Sequence, residues 1–270
     1  MTYLEEAKKI LNHEYQEKYA LAHTDLQIAF MNEKIKHSYQ VLGAGNYILR
    51  HEPYFQNCSK EEISYYQGIV LLHDVCRFSE ILEREKGNKI DHGVAGAEFL
   101  AKNTRFNQKD ATIPIKHHGH LIEKLYEDKE YQQLSLTEQE HIKKISFLVS
   151  DADKIANFNL LATNFSQMRD LFFVPQSFPD PYNKTTTPSA LADFIAHHSV
   201  NKADIHNFAD HALMFLSWIY DINYQSSFTF MKKLHIIEKI FDLFSIYWEK
   251  SDTETFKQII TQFVANKKGA

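Results

Sequence analysis

Hydrophobic residues recur at steps of three and four along most of this 270-residue chain, and stretches of alternating hydrophobic and polar residues are few. In the segment that follows Ile142, one face carries only apolar side chains, namely Ile145, Leu148, Val149, Ala152 and Ala156. This period is typical of amphipathic helices that bury one face in a core. We therefore predict an all-α protein built as a compact bundle of helices.

Residues that can cap a helix stand in front of several of these segments. They are Ser59, Asp91, Thr137, Thr187, Asn201 and either Asp252 or Thr253. Ser59 and Thr137 are each followed three residues later by glutamate, which completes a capping box and predicts a helix directly after each. Thr187 precedes a proline, the residue that favours the first helical position.

One stretch, VPQSFPDPYNKTTTPSA from Val174 to Ala190, has four prolines and few helical signals. Prolines at this density indicate a loop. We therefore predict a helical core over residues 1–170, a loop over 171–190, and further helices over 191–270 that pack on the core.

The composition is that of an ordinary globular protein, with 44% hydrophobic and 24% charged residues. The net charge of −5 argues against general nucleic-acid binding, and two cysteines form no disulfide framework. The start, MTYLEEAKKI, lacks the features of a signal peptide, and the apolar run ALMFLSWIY is too short to span a bilayer. We expect a cytoplasmic protein that does not bind membranes. The sequence does not decide between a monomer and a homodimer.

Histidine is the unusual residue, since 15 of them are about twice what average usage gives. Histidines and aspartates in or beside predicted helices of the front part form the candidate ligand set of His37, His73, Asp74, His92, His117, His118, Asp151 and Asp153. Imidazole nitrogen and carboxylate oxygen together suit Zn, Mn, Fe, Co or Ni. Alone, a His-Asp dipeptide is more often a solvated helix end than a ligand pair.

On a helix, the adjacent side chains of His73 and Asp74 would point about 100° apart. One of them could then bind one ion while the carboxylate bridges to another. The pair ends the apolar stretch GIVLL, so it would lie where a buried helix face stops. Arg77 follows one helical turn after His73 and would share its face.

The order and context of these residues resemble the HD superfamily of metal-dependent phosphohydrolases. The matching motifs are KHSYQV with His37, LLHDVCRF with His73 and Asp74, DHGVAGAEFL with His92, IPIKHHGH with His118, and SDADKIANF with Asp153. They follow the family order H…HD…H…H…D over about residues 20 to 165. The resemblance implies an HD-domain helical bundle that binds one or two divalent ions.

Carried over to this chain, the resemblance implies a first metal position at His37, His73, Asp74 and Asp153 and a second at Asp74, His92 and His118. Asp74 would bridge the two, and the presence of both middle histidines favours two ions. His117 is an alternative ligand, since some relatives use both members of a His-His pair. Asp151 is an alternative to Asp153, although the family ligand directly precedes a basic residue, here Lys154.

Two cations are candidates for binding a substrate phosphate, Arg77 and Lys154. For Arg77 the alternative is a salt bridge to Glu80 or Glu83 on the same helix. Several nucleotidases of the superfamily carry glutamate where this chain has Arg77, which puts a carboxylate base at that position in doubt. His117 and His120 are candidate proton shuttles.

The leading hypothesis is a hydrolase for a small-molecule phosphomonoester or phosphodiester, such as a nucleotide or another phosphorylated metabolite, that acts through metal-bound hydroxide. HD-like folds also include mixed-valent di-iron oxygenases with the same ligand order. A third hypothesis is an HD module that senses a nucleotide without turning it over.

Overall fold

The computed structural model describes residues 1–84 and 86–267. These residues are mostly helical, with fourteen α-helices and no β-strand among them. The helices are α1 Tyr3–Tyr19, α2 Asp25–His51, α3 Lys60–Leu71, α4 Arg77–Arg84, α5 His92–Asn103, α6 Lys109–His117, α7 Ile122–Glu127, α8 Lys129–Gln132, α9 Leu136–Phe172, α10 Pro188–Ile195, α11 Phe208–Ser217, α12 Gln225–Lys233, α13 Ile236–Phe244 and α14 Lys250–Lys267. The all-α class predicted from the sequence is confirmed.

Three of the predicted caps are used as expected. Ser59 and Glu62 form a capping box at the start of α3, and the Asp91 carboxylate accepts from the first backbone N–H groups of α5. Thr187 occupies the cap position of α10, with Pro188 as the first helical residue, but its side chain makes no cap hydrogen bond. At Ser59 and Asp91, a short polar side chain satisfies amide groups that the helix leaves unpaired.

The other three predicted starts are wrong. α9 is capped by Ser135 with Glu138, which match the same pattern two residues earlier and exchange hydrogen bonds. Asn201 caps only a short 3-10 helix, while α11 begins after Asn207. α14 begins at Lys250, ahead of the predicted Asp252 or Thr253. Where several cap residues occur close together, the sequence does not decide which one the fold uses.

The chain divides into two compact units, Met1–Ala156 and Asn157–Ala270. α9 crosses this boundary and ends at Phe172, and α10 begins at Pro188. Most of the predicted loop is therefore without α-helix in the described residues. The partition into 1–170, 171–190 and 191–270 stays a prediction.

In the first unit, α1 and α2 pack against α3, and α5 packs against α6. The predicted apolar face of α9 is buried, with Ile145, Leu148 and Val149 at 0% exposure. Both α2 and α3 bury apolar side chains, such as Val41 in α2 and Ile69 in α3.

The second unit has a core rich in aromatic side chains, as the helical spacing of Phe208, Phe215 and Ile219 predicts. The indole nitrogen of Trp248 donates to the carbonyl of Ala209 at 3.0 Å, which satisfies a buried polar group within that core. Across the described residues, no helix has both the length and the apolar character needed to cross a bilayer.

Candidate metal centre

The His73-Asp74 pair lies in a turn between two helices, and its predicted place on a continuous helix is wrong. α3 ends at Leu71 and α4 begins at Arg77. Within the turn the backbone bonds span three residues, as in Arg77 N to the Asp74 carbonyl at 2.9 Å. This tighter winding replaces the 100° helical step, so Arg77 opens a new helix and does not lie one α-turn along from His73.

His73 presents one ring nitrogen to a buried cluster. Its Nδ1 donates to the Val70 carbonyl at 2.9 Å, so Nε2 is the unprotonated nitrogen when the ring is neutral. This Nε2 is buried and has no hydrogen-bond partner among the described residues. It lies 3.7 Å from Asp74 Oδ2 and 3.6 Å from Asp153 Oδ1. His37, from α2, places its Nε2 2.8 Å from the same Asp153 oxygen.

The other side of Asp74 faces two further histidines. His118 caps the end of α6, where its Nδ1 donates to the Ile115 carbonyl at 2.7 Å and its Nε2 lies 3.3 Å from Asp74 Oδ1. His92, the first residue of α5, places its Nε2 3.3 Å from Asp74 Oδ1 and 3.3 Å from His118 Nε2. Asp74 therefore has histidine ring nitrogens near each of its two oxygens.

Gly93 allows this approach of α5 to α6. A β-carbon at this position would lie 2.7 Å from the Lys116 carbonyl oxygen and 3.1 Å from that of Ile115, closer than real contacts allow. Because these carbonyls belong to the backbone at the end of α6, they cannot swing away. The missing side chain of Gly93 thus helps to bring His92 beside His118.

Two cations flank the Asp74 carboxylate. Lys34 Nζ lies 3.3 Å from Oδ2, and Arg77 Nε lies 3.4 Å from Oδ1. Burial would raise the pKa of Asp74, but the positive charges of Arg77 and Lys34 outweigh it and hold the pKa well below its ordinary value. Burial lowers the pKa of both His37 and His92. The cluster therefore favours ionised Asp74 and neutral His37 and His92, the forms that bind a metal.

His73 shows that the cluster favours a positive charge. Burial lowers the pKa of His73, yet the nearby Asp74 and Asp153 carboxylates outweigh it, so the net shift is upward. Burial would also raise the pKa of Asp153, but the hydrogen bond from His37 and the charge of the nearby His73 keep it well below its ordinary value. Two ionised carboxylates with little solvent access can be neutralised by a proton or by a divalent cation.

The spacing of the donor atoms also fits a metal. Two atoms that bind one ion at about 2.1 Å lie roughly 3.0–3.5 Å apart. The distances from Asp74 Oδ1 to His92 and His118 are 3.3 Å each. Among the described residues, two groups could hold an ion, and these are His37 with His73 and Asp153, and His73 with Asp74 and His118.

Several candidate residues point elsewhere. His117 Nε2 lies 2.7 Å from Asp128 Oδ2, an oxygen that also accepts from Lys116, and neither ligand group found in the described part of the chain includes His117. Lys154 donates to the hydroxyl of Ser150 at 2.7 Å, one turn back along α9. The roles predicted for His117 and Lys154 stay predictions.

The alternatives for the remaining positions can be placed as well. His120 is exposed and lies 3.3 Å from Asp91 Oδ2. Asp151 is fully buried and belongs to neither ligand group found among the described residues, whereas Asp153 belongs to the first. The geometry thus brings together the six residues that the resemblance implies as ligands, although their role as ligands stays a prediction.

Sequence reasoning missed Lys34 and gave Glu80 no part in the site. Lys34 lies three residues before His37 on α2, so helical spacing could have found it. Glu80 was considered only as an ion-pair partner of Arg77. That pair is present, but Glu80 Oε2 also lies 3.0 Å from His92 Nδ1. This second contact joins α4 to α5, and no spacing along the chain signals it.

Comparison with known families gives one match in this region, and the model of the HD domain covers residues 35–157. The matched range begins just before His37, ends just after Asp153, and so includes every residue of the cluster described above except Lys34. HD domains bind divalent metals, in agreement with the donor groups found here. Searches among curated proteins and among solved structures gave no match.

Proposed function

Because residues 35–157 belong to the HD superfamily of metal-dependent phosphohydrolases, we propose that this protein hydrolyses a phosphomonoester or phosphodiester. Its substrate is a nucleotide or another small phosphorylated metabolite. The observation that carries the proposal is the buried cluster in which His73 Nε2 faces two ionised carboxylates without a hydrogen bond among the described residues. A bound metal ion would supply the partner that this nitrogen lacks.

The proposal uses two metal positions that share Asp74. The first would be formed by His37, His73, Asp74 and Asp153, and the second by Asp74, His92 and His118, whereas the two donor groups found among the described residues share His73 and do not include His92. Asp74 Oδ1 faces His92 and His118, while Oδ2 faces His73, so one carboxylate offers a separate oxygen to each group. The ions are of the class Mn, Fe, Zn, Co or Ni, since the donors are imidazole nitrogens and carboxylate oxygens.

When bound, such ions polarise a phosphoryl oxygen and lower the pKa of a coordinated water from 15.7 to about 7. The chain itself supplies further positive charge from Arg77 and Lys34, which stand on either side of Asp74. Arg77 Nε makes no hydrogen bond among the described residues, although it lies 3.4 Å from Asp74 Oδ1. In this proposal both cations contact the nonbridging oxygens of the phosphate, and arginine can contact two of them at once.

The test is a screen for phosphate release over nucleotides and simple phosphoesters, with added Mn²⁺ and with EDTA as the control. Metal content of the purified protein is measured in parallel. We expect release with Mn²⁺, none after EDTA, and none from Asp74→Ala. Metal-loaded protein that turns over no phosphoester contradicts the proposal. Bound iron with oxygen uptake would then indicate the oxygenase, and nucleotide binding without turnover the sensor.

The cytoplasmic location, a homodimer and the lack of nucleic-acid and membrane binding stay predictions from the sequence. They do not enter the reaction, since every residue used above lies within the first compact unit, Met1–Ala156.

A further inference from the structure

Glu80 is a half-buried carboxylate on α4 that the hydrolysis proposed above leaves without a role. Its side chain is only 13% exposed. Oε2 accepts from Arg77 and from His92 Nδ1, the latter at 3.0 Å, and Oε1 accepts from Arg84 at 3.0 Å. A glutamate paired with the guanidinium groups of Arg77 and Arg84 is ionised at neutral pH and can only accept hydrogen bonds.

Three of the four histidines in the cluster are held through Nδ1, in two different ways. His73 and His118 each donate from Nδ1 to a backbone carbonyl three residues earlier, Val70 and Ile115. In these two histidines, the hydrogen bond to the nearby backbone carbonyl fixes the orientation of the ring. His92 opens its helix, and its Nδ1 is paired with the side chain of Glu80 on another helix. The orientation of His92 therefore depends on one replaceable side chain.

An ionised acceptor at Nδ1 determines which nitrogen of His92 carries the proton. A neutral imidazole has a single N–H, and a carboxylate draws it to the nitrogen that it faces. With the proton on Nδ1, the lone pair on Nε2 is directed to Asp74 Oδ1 and His118 Nε2, each 3.3 Å away. The opposite tautomer would place an N–H at this point and prevent ligation there.

We propose that Glu80 is a positioning residue that holds His92 in its ligating tautomer and, through the same oxygen, sets the place of Arg77. One carboxylate would then couple the second metal position to the binding of the substrate phosphate. This inference rests on the proposed function for the part of His92 as a ligand. The inference goes beyond the proposed function because it assigns to Glu80 the control of the metal position that includes His92 and not of the other position.

The contacts of Glu80 explain why its loss should affect only one of the two metal positions. The group of His37, His73 and Asp153 makes none of the contacts of Glu80 described above, and the ring of His73 is fixed by Val70. Loss of a carboxylate that orients a metal-binding histidine commonly costs 10- to 100-fold in metal affinity. We expect a loss of this size for the position that includes His92 and none for the other.

Calorimetric titration of metal-free protein with Mn²⁺ tests this inference. The variants are Glu80→Ala, Glu80→Gln and, as the matched control, Glu83→Gln, a residue of the same helix that pairs with Lys86 and Asn88. Glu80→Ala should weaken one of two binding events by roughly 10- to 100-fold. Glu80→Gln keeps an acceptor oxygen and should recover part of the loss, and the control should bind as the wild type does. Two unchanged affinities in Glu80→Ala would overturn the inference.

A second readout needs neither metal nor turnover. Long-range ¹H–¹⁵N spectra of the imidazole rings in the metal-free protein report which nitrogen of His92 is protonated. We expect the Nδ1–H form in wild type and in Glu83→Gln, and a shift towards Nε2–H in Glu80→Ala. An unchanged tautomer in that variant overturns the role of Glu80. If Glu80→Ala does not fold, the wild-type spectrum alone decides, and a His92 in the Nε2–H form in the wild type overturns the role of Glu80.

The two readouts separate the two proposals. Wild-type protein that binds no Mn²⁺ contradicts the proposed function, whatever the state of His92. Wild-type protein that binds two ions, together with a Glu80→Ala variant that keeps both affinities and the tautomer, contradicts the inference on Glu80 alone.

Discussion

Each compact unit has a histidine next to a buried aspartate in the sequence, His73-Asp74 in the first and Asp210-His211 in the second. The two aspartates are almost equally inaccessible, with 2% and 0% exposure. Their partners differ. The oxygens of Asp74 face side-chain nitrogens, whereas those of Asp210 accept from the backbone N–H groups of Thr187 and His206 at 2.7 and 3.0 Å. Asp210 thus connects two segments of backbone, whereas Asp74 contacts side-chain nitrogens that can bind a metal ion or a substrate in its place.

The histidines differ in the same way. Each has a buried nitrogen without a hydrogen bond among the described residues, Nε2 in His73 and Nδ1 in His211. That of His73 faces carboxylates, and the net shift of its pKa is upward. The ring of His211 lies 4.8 Å from that of Phe215 and 4.9 Å from that of Phe173, and burial lowers its pKa to about 4. An unpartnered histidine nitrogen therefore indicates a metal position only where ionised oxygens converge on it.

The largest expected effects come from exchanging the two aspartates for alanine. Asp74→Ala should abolish both metal binding and turnover, because its carboxylate serves both metal positions. Asp210→Ala should keep its metal but lower the free energy of unfolding by about 2–4 kcal/mol, since the backbone N–H groups of Thr187 and His206 both lose this acceptor. Elemental analysis and urea unfolding of both variants check this, and full metal content in Asp74→Ala would show that it is no bridge.

Replacing one histidine of each unit sharpens the comparison. His92→Ala should reduce the metal content from two ions per chain to one, because the second position loses a ligand while the first keeps all of its own. His211→Phe should leave the count unchanged, since the ring of His211 packs against aromatic side chains. The count at saturating Mn²⁺ is the measurement, and two ions retained in His92→Ala would contradict the assignment.

A smaller loss is expected where a cation of the first unit is removed. Arg77→Ala should lower kcat/KM by roughly 10- to 150-fold, the value of a charge-assisted contact of about 1.5–3 kcal/mol. Arg77→Lys should recover only part, because lysine lacks the planar fork. Lys154→Ala should cost less, since its amine is bonded to Ser150. Activity lost together with metal would mean that Arg77 supports Asp74 and does not contact the substrate.

The smallest effect concerns stability and pH in the second unit. The pKa of His211 is about 4 in the folded protein, below the ordinary 6.5, so the unfolded chain binds more protons between these values. This contribution is fully present above pH 6.5 and is lost as the pH falls towards 4. Between pH 8 and pH 5 the wild type should lose about 2 kcal/mol more than His211→Phe. The measurement is urea unfolding of both proteins at the two pH values. If the wild type and His211→Phe lose the same unfolding free energy between pH 8 and pH 5, burial of His211 is not the cause of its lowered pKa.

The sequence predicts the members of the metal cluster better than it predicts how they are held. The order of His37, His73, Asp74 and the later predicted ligands can be read along the chain, α9 follows from apolar spacing, and the start of α3 follows from the capping box at Ser59. The turn at His73-Asp74 could not be read from this spacing, because the apolar pattern continues through Val75 while the backbone tightens. Predicted helix starts failed where a second cap residue stood nearby, as Ser135 does before Thr137.

The features of the site that the sequence did not predict are contacts between helices. The salt bridge of Arg77 to Glu80 was foreseen, since both lie on one helix, but the bond from His92 to Glu80 joins two helices. In the same way, His117 is next to a predicted ligand in sequence and yet is drawn to Asp128, eleven residues further on. Such pairings depend on how the helices pack, which periodicity along the chain does not specify.

The central claim is that the buried histidines and aspartates of the first unit form a centre for two metal ions bridged by Asp74. Anomalous diffraction from crystals grown with excess Mn²⁺ tests it most directly. We predict two peaks per chain, one beside His37, His73 and Asp153 and one beside His92 and His118, with the Asp74 carboxylate between them. A single peak with His92 turned away, or no peak while Asp74 remains paired with Lys34 and Arg77, would contradict it.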